Sequence, residues 1–582
     1  MTAAASPQSR QSTPVHKTTK KAGLVPSTLR IGRRYRPQRL DGQYDAIVIG
    51  SGIGGLTTAA CLSKMGKKVL VLEQHYTAGG FTHSYGRNGY EWDVGVHYIG
   101  DVGSRKTPTR KLFDFISDGE LQWAPMDANY DRFFFGDERF DAVAGKKQYV
   151  AALKQRFPNE GAAIDQYMAR MQTVANAIQV LAVEKLFTGP TSKLLKLARK
   201  AALPKYLNRT TYEVLSDLTD DEMLKAVITG QWGDSGVAPK ESSFIIHSLI
   251  ARHYLYGASY PVGGASRIAE TIIPVIQQSG GEVFTYANVA EVLVKRNRAY
   301  GVKMADGTEI SAPVVISNAG VFNTFESLLP EQVSRKNGLH KLMRKVKPSV
   351  GHLGVYIGIK ESAAQLGLPK TNFWIYPDAN HQQNLAAFAA DHEAPFPAVY
   401  ISFPSAKDPS WEQRYPNTAT IEIVAPANFS SFEQWKDKPW GKRGDDYDKL
   451  KEQFTQRLLE VMYEKLPQLR GKIDYCELST PLSTDFFCAY PQGEMYGLKH
   501  DPQRFDQQWL RPRTAVKGLY LSGQDVLSCG VGGAMFGGLL CAVSVLGLKS
   551  AGLLGKLALS KASVAAPAGA PAVAAGPLEQ PG

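Results

Sequence analysis

Cysteine is scarce: the 582 residues hold five (Cys61, Cys476, Cys488, Cys529 and Cys541), and no two form a CxxC pair. That excludes a disulfide scaffold and points away from a structural zinc site or a cysteine-ligated iron–sulfur cluster. So sparse and odd a count fits a reducing compartment. No apolar core of signal-peptide length opens the chain. No unbroken run reaches the roughly 18–20 apolar residues of a membrane span, and the nearest, 532–548, reads as a buried core helix. Acidic residues are absent from 1–40, which carry nine Lys and Arg. They are absent again from 185–212, which hold Lys185, Lys193, Lys196, Arg199, Lys200, Lys205 and Arg209. The net charge of +13 sits in these two stretches and leaves a near-neutral body. This excludes a uniformly basic nucleic-acid binder. A content of 43% hydrophobic and 21% charged residues is that of a globular protein.

Organised sequence begins near Tyr44. Residues 1–40 read as a basic disordered tail, with an organelle transit peptide as the alternative. Residues 557–582 are rich in Ala, Pro and Gly and read as a second disordered tail. Residues 45–50 (DAIVIG) are a continuous apolar run, as in a strand buried on both faces of a parallel sheet. Gly50-Ser-Gly52-Ile53-Gly54-Gly55 follows, then an Ala-rich helix to Lys64 and a second buried strand, 68–73 (KVLVLE). The βαβ unit gives each glycine a reason. Gly50 permits the turn, Gly52 lets the backbone approach a pyrophosphate, and Gly55 lets helix and strand pack. The helix N-terminus offers donors to phosphate. Glu73 ends the second strand, where it can accept from ribose hydroxyls and would repel a 2′-phosphate, so the nucleotide is not NADP.

Two distant stretches complete the unit. Residues 260–320 read as a helix, short strands with turns at Gly280-Gly281, Asn297-Arg298 and Asp306-Gly307, and a buried strand at 314–317. Residues 518–525 (GLYLSGQD) read as a strand leading through Gly530, Gly532 and Gly533 into a second apolar helix. The expected fold is α/β: a Rossmann-type domain from 41–130, 260–330 and 516–556, interleaved with a mixed α+β substrate domain from 131–259 and 331–515.

This layout resembles the FAD-dependent oxidoreductases of the phytoene desaturase and carotenoid isomerase group, and within it most closely the retinol saturases. The resemblance is carried by 71–80 (VLEQHYTAGG), 92–100 (WDVGVHYIG), 315–323 (VISNAGVFN), 403–411 (FPSAKDPSW), 441–447 (GKRGDDY) and 519–529 (LYLSGQDVLSC). The second, fourth and fifth are not cofactor motifs, and together the six span nearly all the organised chain. The chain departs from retinol saturases at Phe81-Thr82, where they carry a cysteine pair, near Gln492, where they favour arginine, and near Met495, where they favour cysteine. The apolar, membrane-targeting N-terminus of the animal enzymes is absent too.

The resemblance implies FAD held by Gly50, Gly52, Ile53, Gly54 and Gly55 at the pyrophosphate and by Glu73 and Gln74 at the ribose. Gly79, Gly80, Phe81 and Thr82 would lie near pyrophosphate and ribityl, with Asn318 beside the loop. Val289 would meet adenine through its backbone. Gly523, Gln524 and Asp525 would meet the ribityl or pyrophosphate. Gly532, Gly533 and Ala534 would set a helix N-terminus at the flavin pyrimidine. His97 and Tyr98 are the candidate acids, with a buried structural histidine as the alternative; His253 and Tyr254 follow. Trp92 and the aromatics of 254–260 are candidate channel walls. No third ligand stands near His75 and His83, so no metal is assigned.

The expected activity is reduction of a C=C bond in a lipophilic polyene, a retinoid or carotenoid. The alternatives are a carotenoid cis–trans isomerase or desaturase, and a non-enzymatic prenyl-group binder of the dissociation-inhibitor type. No second dinucleotide fold is present, so electrons come from transient NAD(P)H or another donor. Residues 181–209 interleave leucines with Lys193, Lys196, Arg199 and Lys200 at near-helical spacing. They read as a basic amphipathic helix on an anionic membrane, which makes the protein peripheral on a cytoplasmic membrane face. A solvated helix is the competing reading.

Overall fold

The computed structural model describes residues 29–560. The tails expected over 1–28 and 561–582 lie outside the described residues. Its main sheet has six parallel strands, ordered Arg33–Arg34, Glu282–Thr285, Val69–Leu72, Ala46–Ile49, Val315–Ser317 and Leu519–Leu521. The run AIVI alternates between two cores. Ala46 and Val48 join Val69, Val71 and Ile316 on one face. Ile47 and Ile49 join Leu70, Leu72 and Val315 on the other. Burial on both faces is why these strands read as unbroken apolar runs.

Residues 31–40 do not belong to a tail. Ile31 is buried, and Arg33–Arg34 is the edge strand, in register with Phe284 and Thr285. The Tyr35 N–H donates to the Thr285 carbonyl at 2.8 Å. Backbone pairing, the buried Ile31, the Arg33–Glu282 ion pair at 3.3 Å and Arg34 over the Tyr286 ring hold this strand, so an arginine-rich segment without an apolar run concealed it. At the other end, helix Ser550–Leu559 runs past residue 556 and buries Leu553.

Helix Ile53–Ser63 is buried along its whole length. It packs on Arg267–Gln277 and on the last long helix, Gly530–Leu546. The two glycine-rich helices meet closely: a Cβ on Gly538 would overlap the Gly54 carbonyl, while one on Gly537 would overlap the Gly523 carbonyl in the turn after strand Leu519–Leu521. The stretch Gly530–Leu559 is long and apolar enough to cross a membrane, with mean hydropathy 2.0 over its most apolar 18 residues. Its first half packs against helix Ile53–Ser63, and 39% of those 18 residues are buried.

The second body is a seven-stranded mixed sheet, ordered Ile473–Ser479, Gly351–Ile359, Ala419–Ala427, Val399–Ser402, Asn372–Tyr376, Asn129–Phe135 and Glu138–Val143. Asn372–Tyr376 pairs in parallel with Asn129–Phe135, which joins the two chain segments of this body. Helices between Lys146 and Tyr254 cover one side around Phe133, Tyr167 and Phe244.

Candidate active site

A cavity of about 500 Å³ runs from the glycine loop to the seven-stranded sheet. Gly50, Gly52, Ile53, Gly54, Glu73, Gln74, Gly79, Gly80, Phe81 and Thr82 line its first part, with Val289, Asn318, Gln524, Asp525 and Ala534. His97, His352, Trp374, Tyr400, Met495 and Tyr496 line the inner part.

The loop is shaped by contacts that forbid side chains. Gly50 has φ +91°, and a Cβ on Gly55 would overlap the Gly50 carbonyl oxygen. Gly52 caps the helix without a side-chain acceptor, so the first-turn N–H groups open toward the cavity. Gly52 is the roomier position: its Cβ would meet only the Asn318 side-chain nitrogen, at 2.9 Å. Glu73 Oε2 accepts from the Ser51 N–H (2.8 Å) and hydroxyl (2.7 Å), and Oε1 from the His75 N–H (2.8 Å). These donors fix the carboxylate at the cavity and leave it lone pairs for a ribose.

Four of the expected cofactor residues do not wall the cavity. Gly55 packs on Gly50, and Gly523 (φ +85°) crowds Asn318. Gly533 packs on Ser528, and Gly532 lies open beside His253. The wall at the second helix is made by Gly530, Val531 and Ala534. Asp525 accepts from the Val321 N–H (2.9 Å) and the Leu498 N–H (3.3 Å), so it also ties three chain segments together. Gln524 donates to Tyr490 Oη at 3.1 Å, and Tyr490 stacks on Phe81. Arg504, which nothing in the sequence marked, is buried and donates to the carbonyls of Gln524 and Leu527.

At the inner end lies a buried polar chain. His97 Nδ1 is 2.8 Å from Glu422 Oε2, and the Asp93 N–H donates to Glu422 Oε1 at 2.7 Å. Burial pushes His97 down to about 3 and Glu422 up to about 8, so the pair is a neutral hydrogen bond and not an ion pair. Lys407 donates to the His97 carbonyl (2.9 Å), to Ser402 Oγ (2.8 Å) and to Asn372 Oδ1, and burial pushes it down to about 7. Asn372 donates in turn to Asp131 at 3.0 Å. Tyr98 does not line the cavity: its hydroxyl lies 3.0 Å from Asp131 Oδ2 and 3.1 Å from Asp234 Oδ2, and its ring stacks on Tyr254. Asp234 does line the cavity. Trp92 is core, donating to the Ile357 carbonyl at 2.9 Å, and His253 Nε2 accepts from the Gly100 N–H at 2.9 Å. Asp93 is a buried hub bonded to Ser84, Ala265 and Tyr260.

Residues 48–116 match the NAD(P)-binding Rossmann-like domain. The chain is 39% identical over 527 residues to a rat all-trans-retinol 13,14-reductase, covering 87% of this chain and 86% of that one. It is 37% identical to the zebrafish protein of the same name, covering 87% of each. The chain belongs to the all-trans-retinol 13,14-reductase family. A carrot prolycopene isomerase is more distant, 29% identical over 86% of this chain and 79% of its own. Among solved structures, a putrescine oxidase has TM-score 0.57 at 14% identity, covering 87% of this chain and 99% of its own. A cyclohexylamine oxidase from Brevibacterium oxydans has 0.54 at 14%, covering 89% and 100%. These two show the shared fold. The non-enzymatic alternative is not favoured within a reductase family. The cradle also fits a flavin cofactor: two helix N-termini and a fixed carboxylate converge on one cavity. Of the positions expected to depart from the retinol saturases, Phe81 and Thr82 line the cavity, as does Met495, while Gln492 does not.

Proposed function

We propose that this chain reduces a C=C bond of a retinoid or carotenoid-like polyene with FAD as its cofactor. One observation carries the reading: the dinucleotide cradle and an aromatic chamber are two parts of one cavity. FAD, when bound, supplies hydride chemistry from the ring end. Gly50, Gly52 and Gly54 would take the pyrophosphate, Glu73 the ribose and Val289 the adenine. Gly530 to Ala534 would present a helix N-terminus to the ring and favour negative charge there. Trp374, Tyr400 and Tyr496 would hold the polyene flat and exclude water. Trp374 Nε1, Tyr400 Oη and His352 Nδ1 are buried and find no partner among the described residues. Such orphans favour a substrate with a polar end, a retinoid over a hydrocarbon carotene. Incubating the reduced protein with a panel of polyenes and weighing the products tests the reading. A gain of two hydrogens is expected, whereas an unchanged mass would indicate isomerisation and a loss of two, desaturation.

A membrane surface as the source of substrate is the second part of the proposal. Leu194 and Leu197 on helix Gly189–Ala202 are each 67% exposed, and Val180, Val183 and Phe187 on the preceding helix and turn are also exposed. Lys193 is exposed beside them, whereas Lys196 is paired with Asp506 at 2.9 Å. An outward apolar face flanked by basic residues suits an anionic bilayer.

A further inference from the structure

The Tyr98 hydroxyl lies within hydrogen-bond distance of two carboxylates but has one hydrogen to give. It can donate to one and must accept from the other, so one of the two carboxyls carries a proton. Asp131 is the ionised partner: it also accepts from Gln231 Nε2 at 2.7 Å and from Asn372 Nδ2 at 3.0 Å. Asp234 receives no other side-chain donor among the described residues, and Asp234 is the one that lines the cavity. The Asp234 carboxyl is therefore the protonated member. Burial and the nearby Asp131 charge push it the same way, well above the usual carboxylate range.

Asp234 also stands at the ring end of the cavity. The Cys529 thiol approaches the Asp234 carbonyl oxygen at 3.7 Å, and Cys529 caps the helix whose first turn would face the flavin. Trp374, Tyr400 and Tyr496, the aromatic walls, line the same chamber. His97 and His352, the two imidazoles there, are held neutral by burial, and burial raises the Tyr400 hydroxyl well above its ordinary value, so all three are poorer acids.

We infer that Asp234 is the acid that protonates the polyene carbon opposite the one receiving hydride, with Tyr98 and Asp131 as positioning residues that keep it protonated. The inference rests on the polyene-reductase reading above. The balance is simple. The π bond is broken; one carbon takes a hydride, with both electrons, from reduced flavin; the other takes the proton of Asp234. The Asp234 carboxylate left behind is reprotonated from water when the product leaves.

The test uses flavin-loaded full-length protein. The infrared difference spectrum at neutral pH, wild type minus Asp234→Asn, should show one protonated-carboxyl band, with the band of the neutral Glu422 common to both proteins and cancelling. The amide of that variant can still donate to Tyr98, so the fold is preserved. Tyr98→Phe should shift the band, because it removes the acceptor. With prereduced enzyme, Asp234→Asn should form saturated product about 10²–10⁴-fold more slowly, with bound flavin and polyene binding unchanged. Deuterium from heavy water should enter one face of the product in the wild type and both faces in the variant. An Asp234→Asn enzyme with wild-type rate and stereochemistry, or a difference spectrum without a protonated-carboxyl band, would overturn the inference. The infrared measurement needs no turnover, so it reads Asp234 separately from the polyene reading, which fails only if the wild type saturates no polyene in the panel.

Discussion

His97 and Glu422 meet at 2.8 Å across the boundary between the glycine-loop domain and the seven-stranded sheet. With both groups neutral, the carboxyl donates to Nδ1 and Nε2 keeps its hydrogen. The bond fixes one tautomer of a ring that lines the cavity.

That pairing predicts how stability depends on pH. Burial raises Asp93 to about 7 and Glu422 to about 8 from ordinary values of 3.8 and 4.5. Groups raised on folding contribute stability that is fully present below their unfolded values and lost as pH rises through 7 to 8. Lys407 works the other way: lowered from 10.5 to about 7, its contribution is present above 10.5 and lost as pH falls through 7. His97 works the same way as Lys407: lowered by burial from 6.5 to about 3, its contribution is present above 6.5 and lost as pH falls through 3, and the other buried histidines add to it. The Glu422 contribution is therefore read as a difference between two proteins. The thermal midpoint of the wild type should fall relative to that of Glu422→Gln, whose amide can donate to His97 and accept from Asp93, as pH rises from about 5 to about 8. An equally steep slope in the variant would show that Glu422 does not titrate there.

Cofactor retention should separate two neighbouring glycines. A side chain on Gly52 meets only the end of Asn318, whereas one on Gly55 meets the Gly50 backbone. Gly52→Val should therefore fold and lose flavin, and Gly55→Val should fail to fold. Flavin absorbance and circular dichroism of the two purified variants check this. A fully flavinated Gly52→Val protein would remove the loop from the binding site.

The parallel sheet was legible because its strands are short apolar runs bounded by glycine, and its helices begin where glycine must stand. Arg33–Arg34 was not, because an edge strand needs only backbone pairing. The cavity wall near Glu73 and Asn318 follows from local motifs. Asp234, Glu422 and Lys407 do not: they lie 100 or more residues from His97 and Tyr98 in sequence, Asp234 and Glu422 in stretches without a motif and Lys407 in a family stretch, FPSAKDPSW, that gave it no role. Only the pairing of Asn129–Phe135 with Asn372–Tyr376 brings Asp131 to Asn372 and so closes that chain of hydrogen bonds. Tyr98 was picked for its hydroxyl, but the structure turns that hydroxyl away from the cavity, onto the two aspartates.

Binding to anionic vesicles should depend on leucine more than on lysine. Burying a leucine side chain fully yields about 1.5–3 kcal/mol, and a basic residue near the surface about 1 kcal/mol. Leu194→Gln with Leu197→Gln should weaken binding by roughly tenfold or more per substitution at any salt concentration. Lys193→Gln should act more weakly, and its effect should shrink as salt rises. Lys196→Gln should matter least for binding, since its charge is already engaged by Asp506. Vesicle co-sedimentation at low and high salt measures all three, and unchanged binding of the double leucine variant would make this helix a solvated face.

His97→Phe should behave as a structural lesion. It leaves the Glu422 carboxyl buried without its ring partner, at a cost of about 1–3 kcal/mol. The neutral imidazole, with its value near 3, has no proton to spare at neutral pH. The variant should therefore melt several degrees lower and lose part of its flavin, and turnover per bound flavin should fall much less than the 10²–10⁴-fold typical of a lost general acid. His97→Gln, which can still accept from Glu422, should recover most of the stability. Flavin content, melting temperature and turnover measured on the same preparations decide the matter. A His97→Phe enzyme that is stable, flavinated and reducible yet inactive would move the proton-donating role from Asp234 to His97.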